Sequence, residues 1–133
     1  MKTIRLGIVN RNRVYLDSLE QVLNAHWQFQ VIFTSRGYLD FLECLADAEP
    51  DIILMDAKIL KELTHQDSSG FLRYVKDIPI AILGFKIPAL MHRYSRSHAA
   101  LEFLSKEHDG ETLVERLLEI VDTHLDMSSM GIH

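Results

Sequence analysis

The sequence predicts an α/β domain, a doubly wound five-stranded parallel sheet, and three observations carry that prediction. Five short apolar or β-branched runs alternate along the chain with five segments of helical character, the order that builds a parallel sheet covered on both faces by right-handed crossovers. The run Asp51-Ile52-Ile53-Leu54-Met55-Asp56 sets four apolar residues against a closing carboxylate and reads as a buried strand. The length of 133 residues suits one ordinary domain, able to bury a core without a disulfide or metal staple.

The elements follow in order. Ile4-Arg5-Leu6-Gly7-Ile8-Val9 is the first strand, ending at polar Asn10-Arg11-Asn12. From Val14 the period becomes helical, with Tyr15, Leu19, Val22, Leu23 and His26 on one face. Val31 to Thr34 forms the second strand, and Ser35 with Gly37 marks a turn. Tyr38, Phe41, Leu42 and Leu45 define a second helix, stopped by Pro50. After the strand ending at Asp56, a polar stretch from Lys58 to Gly70 reads as a loop, and whether it folds over Asp56 is left open. Phe71, Leu72 and Val75 suggest a short third helix. Ile78 to Leu83 is a fourth strand, with Pro79 tolerated near its start. Pro88 suits the first turn of a fourth helix bearing Leu90, Met91 and Tyr94. Leu101 to Ser105 is the fifth strand, ending at Lys106. Asp109 is placed to cap a final helix carrying Leu113, Val114, Leu117, Val121 and Leu125. The expected division is a domain over 1–125 and a C-terminal tail over 126–133.

Composition excludes several classes of function. Apolar residues make up 47% and charged residues 25%, a globular mix. The formal charge is −5 with scattered cations, whereas a nucleic-acid surface needs them clustered. The amino terminus lacks the pattern of a signal peptide, and no run approaches the roughly 18 apolar residues of a membrane span. Cys44 is the single cysteine and is expected to pack as a small apolar group, in keeping with a cytoplasmic location. The histidines, His92, His98, His124 and His133 among them, show neither the helical pairing nor the cysteine neighbours of a metal site.

In open parallel sheets the working residues gather at the carboxyl ends of the strands. Those ends offer Asn10, Arg11 and Asn12, then Asp56, Gly84 and Lys106. With Pro50 to Asp56, Phe103-Leu104-Ser105-Lys106, and the spacing from Leu6-Gly7-Ile8-Val9 through Leu19 and Leu23, the chain resembles a response-regulator receiver domain from about Thr3 to Asp122. The resemblance is to an atypical member, nearest to receivers that precede a helix-turn-helix output domain. It implies a flavodoxin-like fold with strand order 2-1-3-4-5. It also implies Asp56 as the phosphoacceptor position, attacking a phosphoryl group with help from Mg²⁺. Lys106 matches the family's lysine beside that aspartate, and Phe103 its switch aromatic.

The sequence departs from the family pattern in three respects. Two acids that hold Mg²⁺ after the first strand are replaced by Asn10 and Arg11; the cation demands charged oxygen ligands, and a guanidinium repels it. Gly84 stands where a threonine or serine would bond the phosphoryl group. Leu60 replaces a proline, and Gly70 comes several residues late. The expectation is that Arg11 and Lys106 both turn toward Asp56 and hold it ionised in place of a metal. No cofactor is expected, Mg²⁺ being disfavoured by Arg11.

Two functions stay open: a receiver in a two-component phosphorelay with a degenerate acceptor pocket, or a phosphorylation-independent pseudo-receiver acting as an interaction module. An enzyme is not expected. The turn Asn10-Arg11-Asn12-Arg13 lacks the glycines or hydroxyls of a nucleotide cradle, and Lys58 occupies the second acid position of a haloacid-type phosphatase. Expected partners are proteins: a histidine kinase, an output domain or another signalling protein. The resemblance places the interaction or homodimer surface on the fourth helix, fifth strand and final helix, with Arg93 and Arg96 on that side. Neither nucleic acid nor membrane is expected to bind directly.

Overall fold

The computed structural model describes residues 3–65, 75, 77–88, 91 and 101–129, with backbone alone at 63–65 and 126–129. Its elements are β1 (Ile4–Val9), α1 (Arg13–Asn24), β2 (Phe29–Ser35), α2 (Tyr38–Asp47), β3 (Ile52–Asp56), α3 (Ala57–His65), β4 (Ile80–Gly84), β5 (Leu101–Ser105) and α4 (Gly110–Ser129). The five strands form one sheet in the order β2-β1-β3-β4-β5, every pairing parallel, as the sequence predicts.

Strand alternation sorts the core into two halves. Leu6, Ile8, Ile52, Leu54, Leu83 and Leu104 face α1 and α4, where Leu16, Leu19, Leu23, Leu113, Leu117 and Val121 meet them. Val9, Ile53, Met55, Ile80 and Ile82 face the other way, against Phe41 and Leu45 of α2 and Ile59 and Leu60 of α3. β3 and β4 are buried along their whole length because both faces are covered. Gly7 is required by a close approach: the ring of Phe33 lies where its Cβ would stand.

The register then fixes what the carboxyl edge presents. Val9 pairs with Met55, Met55 with Ile82, and Ile82 with Phe103. Asn10 and Asp56 therefore lie side by side, one step past the Val9–Met55 pair, and point to the same side of the sheet. Lys106 N–H donates to the Gly84 carbonyl at 2.9 Å, bringing the fifth strand's end to the fourth's.

Two expectations need correction. The stretch from Lys58 is helical, not a loop, as far as His65: Ala-Lys-Ile-Leu-Lys-Glu-Leu is composed mostly of good helix formers, and Ile59 and Leu60 bury together. The final helix is longer than expected, its backbone helical to Ser129 and so into the segment read as a tail. The expected third helix falls outside the described residues except for buried Val75. Of the fourth, Pro88 and Met91 are described, both buried, and Met91 N–H donates to the Pro88 carbonyl at 3.0 Å, one helical turn. Arg93 and Arg96 lie outside the described residues, as do His92, His98 and His133.

Candidate functional site

Asp56 ends β3 and is only 4% exposed. Its Oδ2 accepts a hydrogen bond from Lys58 N–H at 2.9 Å. Its Oδ1 has the Lys106 ammonium 2.6 Å away, the side chain of Lys106 itself being mostly buried. Little water screens this pair of charges, although Oδ1 has no partner of hydrogen-bonding geometry among the described residues. Lys106 is also enclosed laterally: its Nζ lies 5.2 Å from the Tyr15 ring centroid and 5.5 Å from that of Phe85, within reach of cation–π attraction. Tyr15 is half-buried, and burial foremost, then the negative charge of Asp56, raises its hydroxyl pKa above the ordinary 10.0. Phe85 is 73% exposed, so the ammonium's aromatic wall opens to solvent.

Asn10 is 3% exposed, and its Oδ1 is taken up by Asn12 N–H at 2.9 Å. That bond fixes the amide's orientation, so the group left over is a donor. Nδ2 is buried and has no hydrogen-bond partner among the described residues. Asn12 in turn caps α1, its side chain accepting from Tyr15 N–H at 3.0 Å.

Arg11 does not turn to Asp56. Its guanidinium pairs with Glu62 on α3, and its side chain is 60% exposed. The expected second counter-ion is therefore absent from Asp56, because α3 brings a carboxylate within easier reach of a long, well-solvated side chain. Arg36 Nε–H donates to the Arg11 carbonyl at 3.2 Å and steadies the same turn.

Gly84 ends β4 with no side chain, and the space is in use. A Cβ there would lie 3.1 Å from Ala57 Cβ and 3.5 Å from Phe103 Cε1. Phe103 is partly buried against the core half that contains α3. Asp56, Asn10, Gly84, Lys106 and Phe103 thus meet at one end of the sheet, and Arg11 lies at its rim. Sequence reasoning did not find Tyr15, Phe85 and Glu62. A helical reading of the run after Asp56 would have found Glu62; the two aromatics give no signal before the fold brings them to Lys106.

These donors do not fit a Mg²⁺ ion. The one carboxylate is paired with an ammonium, the Asn10 oxygen is occupied, and the amide nitrogen beside it would repel a cation. No group of three or more histidine, cysteine or acidic residues suited to a metal occurs among the described residues. None of the described helices is long and apolar enough to cross a membrane. Cys44 is half-buried, its thiol pKa raised by burial first and then by Asp40, Glu43 and Asp47.

The fold, five parallel strands in the order β2-β1-β3-β4-β5 flanked by helices, is the one that receiver domains share. Solved structures similar to this chain are receiver domains. The signal receiver domain of the response regulator NarL from Mycobacterium tuberculosis superposes with a TM-score of 0.74 at 15% identity, covering 92% of this chain and 98% of that one. A CheY-like receiver domain protein from Methanospirillum hungatei gives 0.73 at 16%, covering 94% and 98%. A chain from the complex of the CheA3 P1 domain with CheY6 of R. sphaeroides gives 0.74 at 17%, covering 92% and 99%. No family model matches the sequence, and no curated protein matches it.

Proposed function

We propose that this chain is a receiver-fold signalling module that presents a constant surface to a protein partner without phosphorylation of Asp56. The observation that carries this reading is the state of the Asp56 carboxylate. One oxygen is held by Lys58 N–H and the other faces Lys106, while the adjacent strand end offers an amide donor where an acid would be needed. Phosphoryl transfer to a carboxylate requires the developing charge to be neutralised at a free oxygen, normally with Mg²⁺. This edge lacks the metal ligands, with an amide donor at Asn10 and a guanidinium at Arg11.

The partner is a protein: a histidine kinase, an output domain or another signalling protein. CheY6 was solved in complex with the P1 domain of CheA3, and a structurally similar receiver modulates a diguanylate cyclase in Pelobacter carbinolicus. The module is not itself an enzyme. Its docking side is the face of β5 and α4, where a homodimer would also form.

A second reading, a working phosphorelay receiver, is favoured by the Asp56–Lys106 pair, since those are the acceptor and lysine positions of the family. Intact-mass spectrometry after incubation with acetyl phosphate and Mg²⁺, with Asp56→Asn as control, separates the two. The first reading predicts no adduct on either protein. A phosphate adduct on the natural chain that the variant lacks would establish the second.

A further inference from the structure

Observations from four places in the chain meet on one element, helix α3. Asp56 is extended and immediately precedes Ala57, the first helical residue, and its Oδ2 accepts from the N–H of the second, Lys58, at 2.9 Å. An extended residue whose side-chain oxygen takes up an early helical N–H is an N-cap, and a carboxylate also complements the positive end of the helix dipole. Gly84 lets that first turn sit against β4, because a Cβ there would stand 3.1 Å from Ala57 Cβ, tighter than ordinary contact. Arg11 crosses from the β1–α1 turn to Glu62, further along the same helix. Ile59 and Leu60, fully buried, seat the helix on the core.

We propose that Asp56 serves as the N-cap of α3, with Lys106 as its counter-ion, and that Arg11 and Gly84 hold the same helix across the carboxyl edge of the sheet. Two of the departures from the receiver pattern, at positions 11 and 84, then serve one helix. An acid at position 11 would repel Glu62, and a threonine at 84 would press on Ala57. A group on Oδ1 would displace the Lys106 ammonium, and a group on Oδ2 would compete with the Lys58 N–H. Modification that takes up Oδ2 is therefore coupled to opening of the helix's first turn. This inference concerns the unmodified chain and stands under either reading of the function.

Amide hydrogen exchange of the full chain, followed by NMR, tests it. Asp56→Ala should speed exchange at Lys58 and its helical neighbours about tenfold relative to β1. Asp56→Asn keeps an acceptor oxygen but loses the charge, so Lys58 should stay within about twofold of its protection in the natural chain, relative to the same strand. If Asp56→Ala fails to fold, Gly84→Thr provides the second arm, keeping the cap and displacing Ala57. It should loosen the first turn of α3 and leave β1 and β2 unchanged. Equal loss of Lys58 protection in Asp56→Asn and Asp56→Ala would overturn the proposal, as would an α3 indifferent to Gly84→Thr. A phosphate adduct on the natural chain would overturn the functional reading instead and leave the cap of the unmodified chain intact.

Discussion

Two aspartates each cap a helix in this molecule, in opposite surroundings. Asp109 precedes α4 and accepts from Thr112 N–H at 2.8 Å in full contact with solvent. Asp56 precedes α3 and accepts from Lys58 N–H at 2.9 Å, buried and facing an ammonium. The local sequence chemistry is the same, a carboxylate satisfying an amide that the helix cannot. The surroundings decide how replaceable each one is. Any short acceptor serves at 109, whereas at 56 the charge also balances Lys106, and each partner is costly to remove alone.

The largest effect should follow Lys106→Ala, which leaves a buried carboxylate with its backbone bond and no counter-ion. A loss of about 3 kcal/mol in a denaturant titration is expected, the usual scale for breaking a buried pair from one side. A loss no greater than that of a surface pair would erase the distinction between the two caps. Arg11→Ala removes a pair whose arginine is largely exposed, so the same titration should show less than about 1 kcal/mol, weakening further with salt.

The smallest effect belongs to the exposed cap and is sharpened by pH. Hydrogen bonds donated by Thr112, from its backbone N–H first, hold the Asp109 carboxyl below its ordinary 3.8. A depressed folded value means that stabilisation is full above 3.8 and is lost as pH falls through the folded value. The protection of amides in the first turn of α4, their exchange measured against the intrinsic rate at the same pH, should therefore fall in acid. Asp109→Ser, which caps without titrating, should remove that dependence, and its persistence would assign the acid response to another group.

The sequence carried much of this. Order, alternation and the uninterrupted apolar runs of β3 and β4 specify a parallel sheet, and the strand order follows the receiver resemblance. The ends of β1, β3, β4 and β5 were legible because each apolar run stops at a polar residue or glycine. Asn10, Asp56, Gly84 and Lys106 could thus be placed at one edge before any distance was known. What was not legible was α3. Its lysines and glutamate read as loop polarity, though Lys58 and Lys61 lie on the exposed side of a helix whose Ile59 and Leu60 are buried, with Glu62 half-buried. From that followed the wrong partner for Arg11. A guanidinium chooses among carboxylates by proximity in space, and Glu62 comes near only once the chain from Ala57 is helical. The enclosure of Lys106 by Tyr15 and Phe85 was hidden as well, since it joins helix α1 to two loops far apart in sequence.

The central claim is that the Asp56 carboxylate is already committed, to the first turn of α3 and to Lys106. The most direct measurement follows the amide signals of Lys58, Gly84 and Lys106 in ¹⁵N NMR spectra as millimolar Mg²⁺, and then beryllium fluoride as a phosphoryl mimic, is added to the full chain. The committed carboxylate predicts that all three signals stay in place through both additions. Saturable shifts of Lys58 and Lys106, absent in Asp56→Asn, would show that the pocket opens to a metal and a phosphoryl group, and would contradict it.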